Sequence, residues 1–160
     1  MVKLTTIYVI DSSSLIDLFK HYYLGNFPTL WSHFDNLVSN GNLVSVKEVL
    51  NEVKDRNDRL AKWAKQNKNF FSKPSQTELS FVKQIFQVQH FHRIVKERER
   101  LKGKPVADPF VISAAKVIKA CVVTEEAFKP NASKIPNVCK HFNIPVVNLQ
   151  QFMINENWTF

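Results

Sequence analysis

Apolar positions follow two rhythms along the chain. Residues 5–10 are β-branched and aromatic and read as a buried strand ending at Asp11. Leu15, Ile16, Phe19 and Tyr22 then recur at helical spacing behind Ser12 and Ser13, which offer a cap. Leu30, Phe34, Leu37 and Val38 mark a second helix, closed by Ser39-Asn40-Gly41. A short strand over 43–45 leads into Val46, Val49, Leu50 and Val53, an amphipathic helix with a capping-box pattern from Ser45 to Glu48. A second capping box, Ser75 to Glu78, opens a helix through Leu79, Val82 and Phe86, ended by the basic stretch 93–104. Asp108-Pro109 starts the next helix, with Asp as N-cap and proline at the first helical position. A strand over 120–124, a helix over 135–141, a strand over 145–149 and a helix from Gln150 complete the pattern. Strand and helix alternate, which predicts an α/β fold with a mainly parallel sheet covered on both faces.

A chain of 160 residues, 44% hydrophobic and with thirteen phenylalanines, can bury a core without disulfides or a structural metal, and disorder is excluded. No repeat or linker divides it, so residues 1–160 are expected to form one domain. The first eleven residues lack the charged start and long apolar run of a signal peptide, and no run approaches the roughly 18 apolar residues of a membrane span. A soluble, cytoplasmic protein with no membrane partner is expected. Cys121 and Cys139 stand in apolar segments, without CxxC or zinc-finger spacing, and read as buried free thiols. The net charge of +8 favours a polyanionic partner, nucleic acid or an acidic protein, and says nothing of chemistry.

The chemistry lies in dispersed acids. In an open parallel sheet, ligands bind beyond the carboxyl ends of the strands. Asp11 ends the first strand, Glu52 lies on the helix after the second, Asp108 heads a helix, and Glu125 and Glu126 follow the strand over 120–124. Gathered carboxylates repel one another and resist desolvation, so their convergence calls for a hard cation. Oxygen-only ligands select Mg²⁺ or Mn²⁺. Each acid also has a plainer role: Asp108 as a helix cap, Glu48 as the capping-box partner of Ser45, and Glu52, Glu125 and Glu126 as solvated surface groups.

In this order and on these elements, the residues resemble the PIN-domain superfamily, to which the VapC-type toxin ribonucleases belong. Val9-Ile10-Asp11-Ser12-Ser13-Ser14-Leu15-Ile16 resembles its first motif, and Val46-Lys47-Glu48-Val49-Leu50-Asn51-Glu52-Val53 its second. Ala107-Asp108-Pro109-Phe110-Val111-Ile112-Ser113-Ala114-Ala115 resembles the third, and Val122-Val123-Thr124-Glu125-Glu126 the fourth. The closing Lys134-Ile135-Pro136-Asn137-Val138-Cys139 and Ile144-Pro145-Val146-Val147-Asn148-Leu149 resemble a less-studied PIN-like subfamily. One departure stands out: the fourth acid is usually Asp and here is Glu, which leaves Glu125 as a competing assignment.

The resemblance implies a three-layer α/β/α fold around a sheet of four to five strands. It further implies a metal-dependent endoribonuclease, acting as the toxin of a toxin–antitoxin pair. Asp11, Glu52, Asp108 and Glu126 would hold Mg²⁺ or Mn²⁺, with Ser13, Thr124, Glu48 and Glu125 around them. Water attack would leave a 5′-phosphate and a 3′-hydroxyl. RNA is the implied substrate and a cognate antitoxin the implied protein partner, and the assembly is compatible with a homodimer. Arg98, Arg100, Lys102 and Lys104, just before Asp108, are the candidate phosphate-contacting rim.

Other readings fit less well. A HAD-type phosphatase needs a second acid two positions after the first, where Ser13 stands. A dinucleotide-binding fold needs a glycine-rich turn after the first strand, and Gly25, Gly41 and Gly103 all lie elsewhere. No nucleophile elbow surrounds a serine or cysteine. His90 and His92, two apart, face different sides of a helix and read as polar surface. The rival that remains is a PIN-like module that binds RNA or protein without cutting.

Overall fold

The computed structural model describes residues 5–92, 94 and 106–159. Five short parallel strands form one sheet in the order β3-β2-β1-β4-β5. They are β1 (Tyr8–Ile10), β2 (Leu43–Val46), β3 (Phe71–Ser72), β4 (Cys121–Val123) and β5 (Val146–Val147). β1 is central, with Val9 opposite Val44 of β2 and Val122 of β4. Every residue of β1 and β4 is buried, as a strand sandwiched between two helical layers must be.

One layer contains α5 (Gln76–Gln87), α6 (Asp108–Ile118) and α7 (Ile135–His141), with α6 lying across β1, β2 and β4. The run Ser113-Ala114-Ala115 lets α6 approach the sheet closely, and its buried hydroxyl is satisfied internally: Ser113 Oγ donates to the Pro109 carbonyl at 2.7 Å. The other layer contains α1 (Ser12–His21), α2 (Pro28–Ser39), α4 (Arg59–Gln66) and α8 (Leu149–Asn155); α3 (Lys47–Val53) runs out of the carboxyl end of β2. This is the three-layer PIN-like α/β/α architecture expected.

α4 and β3 lie in the stretch 54–74, where the apolar pattern predicts no element. α4 is capped by Asp58, whose side chain accepts the Ala61 N–H at 3.0 Å, and it buries Leu60, Ala61 and Ala64. Its Trp63 enters an aromatic cluster with Phe19, Trp31, Phe34, Phe70 and Phe71, ring centroids 4.8–6.2 Å apart. The Arg59 guanidinium lies 5.3 Å from the Phe19 ring and 5.2 Å from the Trp31 ring. It donates to the carbonyls of Phe19 and Tyr22, which the end of α1 leaves without helical partners. The cluster absorbs much of the chain's unusual aromatic content.

Three caps differ from expectation. The first helix is capped by Asp11, whose side chain accepts the Ser14 N–H, while Ser12 and Ser13 already lie inside it. Ser45 caps nothing. It belongs to β2, its hydroxyl donates to the Ile10 carbonyl at 2.7 Å, and α3 starts from Val46 without a side-chain cap. A buried hydroxyl beside an accessible strand carbonyl takes that bond in preference to a local turn. α6 starts one residue earlier than predicted: Ala107 is the cap and Asp108 the first helical residue. The second capping box does form, with Ser75 Oγ accepting the Glu78 N–H at 3.1 Å. The helix it opens ends at Gln87, followed by a 3-10 turn over Gln89–His92.

Cys121 and Cys139 are free and buried, as expected. Among the described residues no helix is long and apolar enough to cross a membrane.

Candidate functional site

The chain leaves β1 toward β2 on one side and later crosses to β4 on the other, so the carboxyl ends of β1 and β4 flank the point where the sheet reverses. Asp11 stands there. Its backbone N–H donates to the Val123 carbonyl at 3.0 Å, which fixes the end of β1 against the end of β4. Only 3% of the residue is exposed. Ser14 N donates to Oδ1 at 2.9 Å, Thr124 Oγ1 donates to Oδ2 at 2.5 Å, and Ser13 Oγ lies 2.9 Å from both oxygens. Burial raises the carboxyl to about 6, and the charge of Glu126 pushes the same way. The bonds from Thr124, Ser14 and Ser13 pull in the opposite direction and do not win.

Thr124, itself buried, links this carboxylate to the fourth motif: its hydroxyl also accepts the Glu126 N–H at 3.1 Å. Ser13 does the same one residue earlier, accepting the Glu125 N–H at 3.1 Å. The two glutamates then part. Glu126 Oε2 accepts the Ile135 N–H at the start of α7, at 3.0 Å. Glu125 Oε1 accepts the Leu149 N–H at the start of α8, at 2.6 Å. Glu125, expected either beside the acids or as a solvated surface group, is exposed, yet its carboxylate is tied to a helix start.

Glu52 joins the first motif to the third. Ser12 Oγ donates to its Oε2 at 2.6 Å, and Ala107 N donates to its Oε1 at 2.9 Å. The residue before Asp108 is thereby held against Glu52, with Asp108 itself buried at the head of α6. The sequence reading gives Ser12 a capping role and none beside the acids. The signal was its place directly after the strand-terminal acid, but which of three successive serines bonds which carboxylate depends on the helical turn they enter.

Glu48 interacts electrostatically with Glu78. Its carboxyl is raised by burial, with the charge of Glu78 adding to the rise and its own backbone N–H and Lys47 opposing it. Glu78 is likewise raised by burial. One carboxylate oxygen of each has no hydrogen-bond partner. Arg98, Arg100, Lys102 and Lys104 lie outside the described residues.

The donors suit a hard cation in kind. They are oxygens, and the most deeply buried one carries a charge that its surroundings under-compensate. Their arrangement is looser than a closed cage: among the described residues no three His, Cys, Asp or Glu side chains converge on one ion position. Hydrogen bonds unite two groups at this edge, Asp11 with Ser13, Thr124 and the Glu126 backbone, and Glu52 with Ser12 and the start of α6.

The fold is similar to that of DNA-bound VapBC from Salmonella typhimurium, with a TM-score of 0.52, 14% identity, and coverage of 89% of this chain and 98% of that one. It is also similar to PAE2754 from Pyrobaculum aerophilum, with a TM-score of 0.50, 13% identity, and coverage of 95% and 96%. At such identities the likeness concerns the fold, which is PIN-like. No curated protein matches the chain by sequence. A family model described as a domain of unknown function, DUF4411, matches residues 8–160, and the chain belongs to that family.

Proposed function

We propose that this protein is a metal-dependent endoribonuclease whose centre is built from Asp11, Glu52, Asp108 and Glu126, with residues 1–160 forming one domain. The observation that carries the reading is Asp11: an acid at the switch point of the sheet, buried, gripped by three donors, and destabilised by a second acid. Folds keep such a charge where a cation offsets it. Asp11 and Glu126 are the pair that electrostatics already joins, and Glu52 and Asp108 approach from the β2 side. Bound there, Mg²⁺ or Mn²⁺ would supply an activated water and offset charge on the phosphate and the leaving oxygen. Ser13 and Thr124 fix the Asp11 carboxylate by donating to it, and Ser12 fixes Glu52. Glu125 would anchor α8 rather than touch the substrate.

The positive net charge favours RNA as the substrate. The VapBC likeness and the sequence motifs support a toxin role with a cognate antitoxin as partner. A cytoplasmic location belongs to the same reading, in keeping with two free buried thiols. Hydrolysis by this route leaves a 5′-phosphate and a 3′-hydroxyl on single-stranded RNA, and end-group mapping of the products tests it; a 2′,3′-cyclic phosphate would exclude the metal route.

A second reading has its own support. Glu125 and Glu126 each spend an oxygen on a helix start, Glu52 spends both, and no three acids converge among the described residues. These commitments favour a PIN-like module that binds RNA or protein without cutting. RNA binding without cleavage at saturating Mn²⁺ would select it.

A further inference from the structure

Two residues beyond Glu126 the chain displays Phe128. It is 48% exposed, the one phenylalanine of the described residues to stand among the exposed large apolar side chains. Its loop is not slack. Before it, Glu126 is tied to the start of α7; after it, the Lys129 carbonyl accepts from Asn137 Nδ2 at 2.7 Å and from Ala132 N at 3.1 Å. Further along, Ser133 Oγ donates to the His90 carbonyl at 2.7 Å, and the His90 ring nitrogen meets the Ala132 carbonyl at 3.2 Å. A loop braced on both sides of an aromatic ring holds that ring outward.

The surroundings are cationic. Between Ala127 and Lys140 the chain has three lysines and no acid. The Lys140 ammonium lies over the Phe128 ring, 4.8 Å from its centroid, and the exposed remainder of the ring is open to a second planar group. A flat π-face beneath a lysine, on the loop that follows Glu126, offers a base something to stack on and its phosphate something to pair with.

We propose that Phe128, with Lys140, is a stacking platform that seats an unpaired nucleobase of an RNA bound at the acidic site, on the loop that follows Glu126. The proposal rests on RNA being the ligand of that site. It selects single-stranded over duplex RNA, because a paired base has no free face. Phe128 is a positioning residue: it sets where the strand lies and takes no part in bond breaking.

Binding is measured by fluorescence anisotropy with a short labelled single-stranded RNA, and with a duplex of the same length. All proteins carry Asp11→Asn, so that nothing is cut. Phe128→Ala should weaken single-strand binding about 5- to 150-fold, the range of one lost base–aromatic stack, and leave duplex binding unchanged. Phe128→Trp should bind at least as well as Phe, and Phe128→Leu should behave like Ala. Single-strand binding that survives Phe128→Ala or Phe128→Leu overturns the platform, as does an equal loss on both RNAs or no RNA binding by the parent protein. A protein partner for Phe128 would show as the first of these outcomes. The nuclease reading is scored separately with Asp11 intact. Cleavage with Phe128-independent binding removes the platform alone, and Phe128-dependent binding without cleavage in Mn²⁺ removes the nuclease alone.

Discussion

The Thr124 hydroxyl donates to Asp11 Oδ2 at 2.5 Å and joins the residue that follows β1 to the residue that follows β4. The same oxygen accepts the Glu126 N–H, so one hydroxyl orients both an acid and the turn that presents another. Thr124→Val keeps the shape and removes the donor. It should cost about 1.5–3 kcal/mol at pH 8, where Asp11 is ionised, because a bond to a buried charge is lost. At pH 5, with Asp11 protonated, the cost should shrink toward that of a neutral bond, about 1 kcal/mol. Chemical denaturation at the two pH values checks this, and a pH-independent cost would separate Thr124 from the carboxylate.

Asp11 should oppose folding at neutral pH when no metal is bound. Its carboxyl is raised from 3.8 to about 6, so folding favours the protonated form. The stability this confers is complete below pH 3.8 and is lost as pH rises through about 6. The loss amounts to about 3 kcal/mol at roughly 1.4 kcal/mol per pH unit. Asp11→Asn cannot ionise and escapes it. In EDTA the variant should therefore melt several degrees above the parent at pH 7.5, and near it at pH 4.5. A variant no more stable at pH 7.5 than at pH 4.5, relative to the parent, would mean that the carboxylate is already compensated.

The two adjacent glutamates should differ in their response to Mn²⁺. Glu126 acts electrostatically on Asp11, whereas Glu125 reaches away to α8. Gln keeps an oxygen for the helix start and removes only the charge. Glu126→Gln should lose most of the rise in melting temperature on Mn²⁺ addition, and Glu125→Gln should keep it. The reverse pattern would place the fourth acid one residue earlier. Loss in neither variant would remove the fourth motif from the site.

Arg59 should be the stability-determining side chain of the second helical layer. It closes two carbonyls at the end of α1 while lying over Phe19 and Trp31. Arg59→Ala should cost about 2–4 kcal/mol, from charge-assisted bonds and cation–π contact together. Arg59→Lys should recover less than half, since an ammonium lacks the planar fork. The melting temperatures of the two variants measure it, and an unchanged value for Arg59→Ala would deny the clamp.

What was legible in the sequence follows from where each signal originates. β1 and β4 were legible because burial on both faces imposes continuous apolar runs, and Val9 and Val122 show them directly; α6 was legible from its Asp108-Pro109 start, with the cap one residue earlier than expected. α4 was not, because its apolar face is Leu60, Ala61 and Ala64 amid charges, and alanine is a weak periodic marker. β3 is two residues at a sheet edge, too short for alternation to appear. At the candidate site, the placement of Asp11 at a strand end was legible from pattern alone. The bond from Ser12 to Glu52 was not, nor were the opposite directions taken by Glu125 and Glu126. Those depend on the rotation of α1 and on where α7 and α8 begin, which are tertiary facts. The same holds for Ser45, whose hydroxyl had a helix start and a strand carbonyl within reach and took the carbonyl.

The most direct measurement is cleavage of single-stranded RNA by the purified protein in Mn²⁺, with and without EDTA, alongside Asp11→Asn folded to the same degree. The expected result is cleavage by the parent that stops in EDTA, resumes when Mn²⁺ is restored, and is absent from Asp11→Asn in all three conditions. Cleavage that persists in EDTA, or that Asp11→Asn retains, would contradict a metal centre at the end of β1.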